Sequence, residues 1–124
     1  MADIKSDNII IVRNPITLSE VREIADHWYK NMVKGVADVK RKVIALGGEW
    51  HMDANIVLIA DGSLQEDVWG FNVYPDEKGD TAIEYISLIN IRPAQWNRTM
   101  EIEDVALRAS IKKIVGSLIP DLGL

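Results

Sequence analysis

The chain reads as an α+β protein with an antiparallel meander sheet of about four strands, and three features predict it. A long run with helical spacing, Val21 through Leu46, stops at Gly47-Gly48, after which apolar residues alternate with a period of two. Two apolar segments, 67–74 and 83–92, flank the polar stretch Pro75 to Asp80 like the arms of a hairpin. A second helical pattern closes the chain before Pro120. Strands joined by short turns run antiparallel, and the helices are then expected to pack on one face of the sheet.

Taken in order, residues 1–7 are polar and expected to fray. Ile9 to Val12 is a continuous apolar run ended by Asn14-Pro15, which reads as a strand buried on both faces. Thr17 with Glu20 three residues later forms a capping box, and Ile16 can staple onto Val21. The stripe Val21, Ile24, Ala25, Trp28, Met32, Val36, Val39, Val43 and Leu46 then predicts a long N-terminal helix of about 29 residues. A break at Tyr29 to Asn31, or at Gly35, would split it in two. Glu49 to Asp53 alternates like an edge strand, and Ile56 to Ala60 reads as a buried strand closed by Asp61-Gly62-Ser63. The last helix opens at Glu103 or Asp104 and buries Leu107, Ile111, Ile114, Val115 and Leu118.

Composition narrows the function. With 124 residues, 48% of them hydrophobic, and four Trp, residues 1–124 make one α+β domain with a real core. The absence of Cys excludes disulfides, thiol nucleophiles and Cys-ligated zinc. Neither a leader pattern nor a run near the ~20 apolar residues of a membrane span is present, so a cytoplasmic protein is expected. Net charge is −5, and residues 61–84 carry seven acids against the single base Lys78. Such a surface repels nucleic acid, and Lys40-Arg41-Lys42 reads as the solvated end of the long helix. No cofactor motif is present: there is no phosphate loop, Walker lysine or HExxH, and Ser63 and Ser87 lack the setting of a nucleophile elbow. His27 reads as a surface residue.

The hairpin carries the functional signal. Placing Tyr74 opposite Glu84 pairs Asn72 with Ile86, Gly70 with Leu88, Val68 with Asn90 and Glu66 with Arg92. Trp69, Phe71, Val73, Tyr85, Ser87, Ile89 and Ile91 then share the other face, apolar enough to pack on the helices. The first face mixes Val68, Tyr74, Ile86 and Leu88 with Asn72, Asn90 and Arg92. Amides and a guanidinium on a half-apolar face need partners, since burying them unpaired costs several kcal/mol. They can find them within the chain, in a homodimer, or in a ligand. Gly70 fits a place where a backbone or ligand approaches closely. Gln95, Asn97 and Arg98, in the loop after Pro93, extend this polar set, and guanidinium groups beside a helix start suit a small anionic ligand.

A second constellation is Glu49, His51 and Asp53. On a strand these three point to one side at about 6.6 Å intervals, a spacing that suits a metal or a histidine base. The same alternation is also that of an ordinary edge strand with a wet face.

The elements Gly47-Gly48-Glu49, His51 with Asp53, Gly62-Ser63, Gln65-Glu66-Asp67, Trp69-Gly70 with Asn72, Tyr74-Pro75, Ile89 through Pro93, Gln95 and Asn97-Arg98 carry a resemblance. Together they resemble a family of small prokaryotic proteins catalogued only as a domain of unknown function. The likeness runs from about Ile10 to Ile119. It implies a compact cytoplasmic protein of bacterial type and assigns no activity. Trp96 stands where the resemblance leads one to expect a smaller residue, often glycine, and Thr99 where serine is expected.

The expectation is therefore a non-enzymatic interaction or ligand-binding module, a homodimer, whose polar site is Asn72, Asn90, Arg92, Gln95, Asn97 and Arg98. The alternative is a small hydrolase or metal-assisted enzyme using Glu49, His51 and Asp53, with Arg92 or Arg98 clamping an anion. A shared cleft holding His51 and one of those arginines would favour the enzyme.

Overall fold

The computed structural model describes residues 8–124, so the expected fraying of residues 1–7 lies outside it. The chain runs β1 (Ile10–Val12), α1 (Leu18–His27), β2 (Val33–Asp38), β3 (Val43–Leu46), α2 (His51–Ala60), β4 (Val68–Val73), β5 (Ile83–Glu84) and α3 (Val105–Leu118). Short 3-10 turns fill the connections. The five strands form one antiparallel sheet in the order β1-β3-β2-β4-β5.

The α+β class and the antiparallel pairing are as the sequence predicts. The long N-terminal helix is not. α1 starts where the capping box places it, with the Thr17 hydroxyl accepting from Glu20 N and the Glu20 carboxylate accepting from Thr17 N. It stops at His27, and residues 33–46 form the hairpin β2–β3 instead. Five of the six β2 residues and all of β3 are buried, so these strands lack the alternation that would betray them. Their valines recur at intervals of three and four by coincidence. The reversal is built by the fully buried Asp38, whose Oδ1 accepts from Lys40 N and Arg41 N at 2.9 Å each. Lys40-Arg41-Lys42 is thus a strand turn and not a helix end, with Lys42 in the left-handed region at φ 59°.

The helices cover both faces, correcting the expectation of one. Val12, Val33, Ala37, Ile44, Leu46, Trp69, Phe71 and Val73 point to the side where α1 and α3 pack. Val36, Val43, Ala45 and Val68 point to the other, against Ala54 and Leu58 of α2. The stretches read as strands at 49–53 and 56–60 therefore become a loop and one helix. α3 begins on Asp104, which accepts from Ala106 N and Leu107 N, as predicted.

The hairpin of β4 survives with a different second arm. β5 pairs Asn72 with Glu84 and Val73 with Ile83, two residues away from the expected register. After Glu84 the chain leaves the sheet edge and passes over β4, where a 3-10 turn covers Leu88–Asn90. Gly70 permits this crossing, because a Cβ there would lie 2.5 Å from Cβ of Ser87. The close approach expected at Gly70 is made by the protein's own chain.

Candidate functional site

The crossing segment and the N-terminus of α2 stand side by side on the same face of the sheet, and a cavity of about 550 Å³ opens between them. Its floor carries Lys34, His51 and Asn72, its wall Ile86, Ser87 and Ile89, and its mouth Trp50, Met52, Leu88 and Met100. The mouth is apolar yet open to solvent: Trp50 is 60% exposed and Leu88 68%. A volume of this size lies within the range that small-ligand pockets occupy.

Each floor residue is placed by a separate element. Lys34 of β2 and Asn72 of β4 are cross-strand partners, so both side chains leave the same face. His51 is the first residue of α2, whose start is fixed by the Asp53 carboxylate accepting from Glu49 N and Trp50 N. The imidazole is buried, and Nε2 lies 2.8 Å from Oδ1 of Asn72 and 3.0 Å from the Phe71 carbonyl. Asn72 Nδ2 in turn donates to Glu84 Oε1 and to the Ile86 carbonyl, both at 3.3 Å. Burial, opposed by the hydrogen bond to the Phe71 carbonyl and reinforced by the Lys34 charge, holds His51 below its usual pKa. Beside the cavity, Tyr74 donates to Glu84 Oε1 at 2.5 Å, and burial with that carboxylate pushes the phenol up to about 12.

Of the six residues predicted as a polar site, only Asn72 lines this cavity. Asn90 turns its amide to Gly70, accepting from its N–H at 2.8 Å and donating to its carbonyl at 3.0 Å, with a further bond to the Met100 carbonyl. Arg92 donates to the carbonyls of Ile89, Gln65 and Val68, and its guanidinium stacks 4.3 Å from the Trp69 ring. Burial lowers its pKa from the ordinary value. Gln95 bonds to the Glu66 carbonyl, and Asn97 donates to the carbonyls of Asn90, Thr99 and Glu101. Arg98 contributes its backbone N–H to Glu103. Apart from Arg98, these side chains are spent on the protein's own backbone.

The enzyme alternative loses its geometry. Glu49 lies in a loop, Asp53 caps a helix and His51 is buried under it, so the three do not share a strand face. Among the described residues no three metal-ligating side chains lie together. The cavity that holds His51 contains neither Arg92 nor Arg98. Ser87 lines it, but no hydrogen bond joins its hydroxyl to His51 within the described residues; Ser87 Oγ accepts from Ile89 N.

Sequence reasoning missed Lys34, Trp50, Met52 and Met100 as site residues. A signal was available for Met52. α2, His51-Met-Asp-Ala-Asn-Ile-Val-Leu-Ile-Ala60, is apolar on nearly every side, with Asp53 its sole charged residue. Only Ala54 and Leu58 of its apolar residues are buried, whereas Met52, Ile56 and Ile59 are 45%, 43% and 38% exposed. Such a helix offers a second oily face to something outside its own core.

No helix among the described residues is long and apolar enough to cross a membrane. A family model described as "Protein of unknown function (DUF5674)" matches residues 10–118. No curated protein and no solved structure matches the chain.

Proposed function

We propose, from the premise that this chain belongs to the DUF5674 family of proteins of unknown function, that it works by non-covalent binding and that the cavity over β4 is its binding site. One observation carries this reading: an open, apolar-walled cavity converges on a small polar floor. A nucleophile paired with a base in this cavity, or a gathered metal set, would have favoured chemistry; the cavity's hydroxyl, Ser87 Oγ, instead accepts from Ile89 N, and among the described residues no three metal-ligating side chains lie together. The composition without cysteine and the family resemblance support a cytoplasmic protein of prokaryotic type. An NMR fragment screen tests the site. Hits should perturb the amides of Lys34, His51, Asn72 and Met100 together; perturbations scattered over the surface, or an absence of hits, overturn it.

A second reading is favoured by the uncovered face of α2. Met52, Ile56 and Ile59 form a stripe at helical spacing that can meet its symmetry mate in a homodimer. Sedimentation velocity at tens of micromolar should find a dimer that Ile56→Glu dissociates. A monomer throughout that range removes this reading.

A further inference from the structure

The polar floor of the cavity specifies a ligand, and this inference rests on the binding reading above. We propose that the site takes an amphipathic acid: an apolar body with one carboxylate and, beside it, an O–H or N–H donor.

The donor requirement follows from hydrogen-bond accounting. Asn72 Nδ2 faces two acceptors, Glu84 Oε1 and the Ile86 carbonyl, which turns Oδ1 toward His51. His51 Nε2 then also faces two acceptors, Oδ1 and the Phe71 carbonyl, so this nitrogen carries the ring proton. The other nitrogen, Nδ1, is left with a lone pair. It has no partner among the described residues. No fully buried side-chain polar atom there lacks one, so Nδ1 keeps some accessible surface, and His51 is one of the residues lining the cavity. An acceptor left over on a residue that lines an apolar cavity selects a ligand that donates to it.

The carboxylate requirement follows from charge. Lys34 is the single charged residue lining the cavity, in a chain of net charge −5. Its ammonium sits 5.2 Å from the Tyr29 ring and makes no ion pair among the described residues. The Glu84 carboxylate bonded to Asn72 does not line the cavity and is taken up by the Tyr74 hydroxyl and the Asn72 amide. Lys34 and His51 flank Asn72, one across the strand pair and one above it, so a compact head group reaches both. Trp50, Met52, Leu88 and Met100 receive the apolar body, the two thioether chains adapting to its shape.

Isothermal titration calorimetry of the full chain at pH 8 tests this with four probes of equal length: 2-hydroxyoctanoate, octanoate, 1,2-octanediol and octylammonium. The hydroxy acid should bind tightest, with octanoate weaker by about tenfold for loss of the donor. Lys34→Gln, a change at a partly exposed side chain, should weaken both acids about tenfold and leave the diol unchanged. Equal binding of octylammonium and the acids, or indifference of the acids to Lys34→Gln, overturns the ligand class and leaves the binding reading standing. Silence toward all four probes overturns both.

Discussion

The side chain of Asn90 pairs with the backbone of Gly70 as a neighbouring strand would, accepting from its N–H and donating to its carbonyl. β5 covers only Asn72 and Val73 of β4, so the rest of that edge has no strand beside it. Asn90 fills the gap at Gly70, and Arg92 does so at the Val68 carbonyl. The hydrogen bonds that a longer hairpin arm would have made are supplied by two side chains.

Asn90→Ala should therefore destabilise the fold by about 3 kcal/mol, since it strands a buried N–H and a buried carbonyl. Asn90→Asp keeps the acceptor but sets a carboxylate against the Gly70 carbonyl, and is expected to cost at least as much. Urea denaturation measures both. A loss under ~0.5 kcal/mol for the alanine variant would mean that water replaces the amide without penalty.

Gly70→Ala meets a different obstacle. The added methyl would stand 2.5 Å from Cβ and 2.7 Å from Oγ of Ser87, so the crossing segment has to lift from the sheet. The expected cost is about 1–3 kcal/mol, with amide shifts spread through Ile86 to Ile89. Gly62→Ala, at a site with open space around it, separates this clash from backbone strain.

Trp96 is 82% exposed and sits at φ 64°, a left-handed conformation that favours glycine. Trp96→Gly should raise stability by about 0.5–1 kcal/mol, whereas Trp96→Ala should leave it nearly unchanged because the same strain persists. Thermal melts of the two variants decide. A destabilised glycine variant would show that the indole contributes more than its backbone costs.

The burial of His51 sets a pH dependence. Its folded pKa lies below the unfolded value near 6.5, so the unfolded chain takes up the proton first. Stability is complete above about pH 7 and falls as the pH drops from ~6.5 toward the folded pKa. Denaturation midpoints between pH 8 and 5 should show this slope, and His51→Gln should flatten it. An unchanged slope in the variant would assign the effect to other groups.

How much of this was legible depends on which side of an element water touches. The start of α1 and the whole of α3 could be read because each has one wet face and a polar cap, Thr17 with Glu20 and Asp104. β2 and β3 could not, because both of their faces are buried and their valines fell on helical intervals. The residues Asn72, Asn90, Arg92 and Asn97 stand out in the sequence as polar groups that need partners, and in the fold each bonds to another part of the chain. Where those partners lie depended on the crossing of β4, which the even alternation of 83–92 conceals. His51 was noticed for a metal; its place in the cavity came from a helix that the pattern disguised as a strand.

The even oiliness of α2 leaves it without an amphipathic preference for one roll angle about its own axis. Its orientation is pegged instead by polar contacts: His51 to Asn72 at one end, and Asn55 with Gln65 exchanging bonds of 2.8 Å further along. These few pegs decide which greasy strip faces the sheet and which faces outward. The helix is keyed like a lock barrel, and a chain stripped of those pegs would be free to rotate a different strip into view.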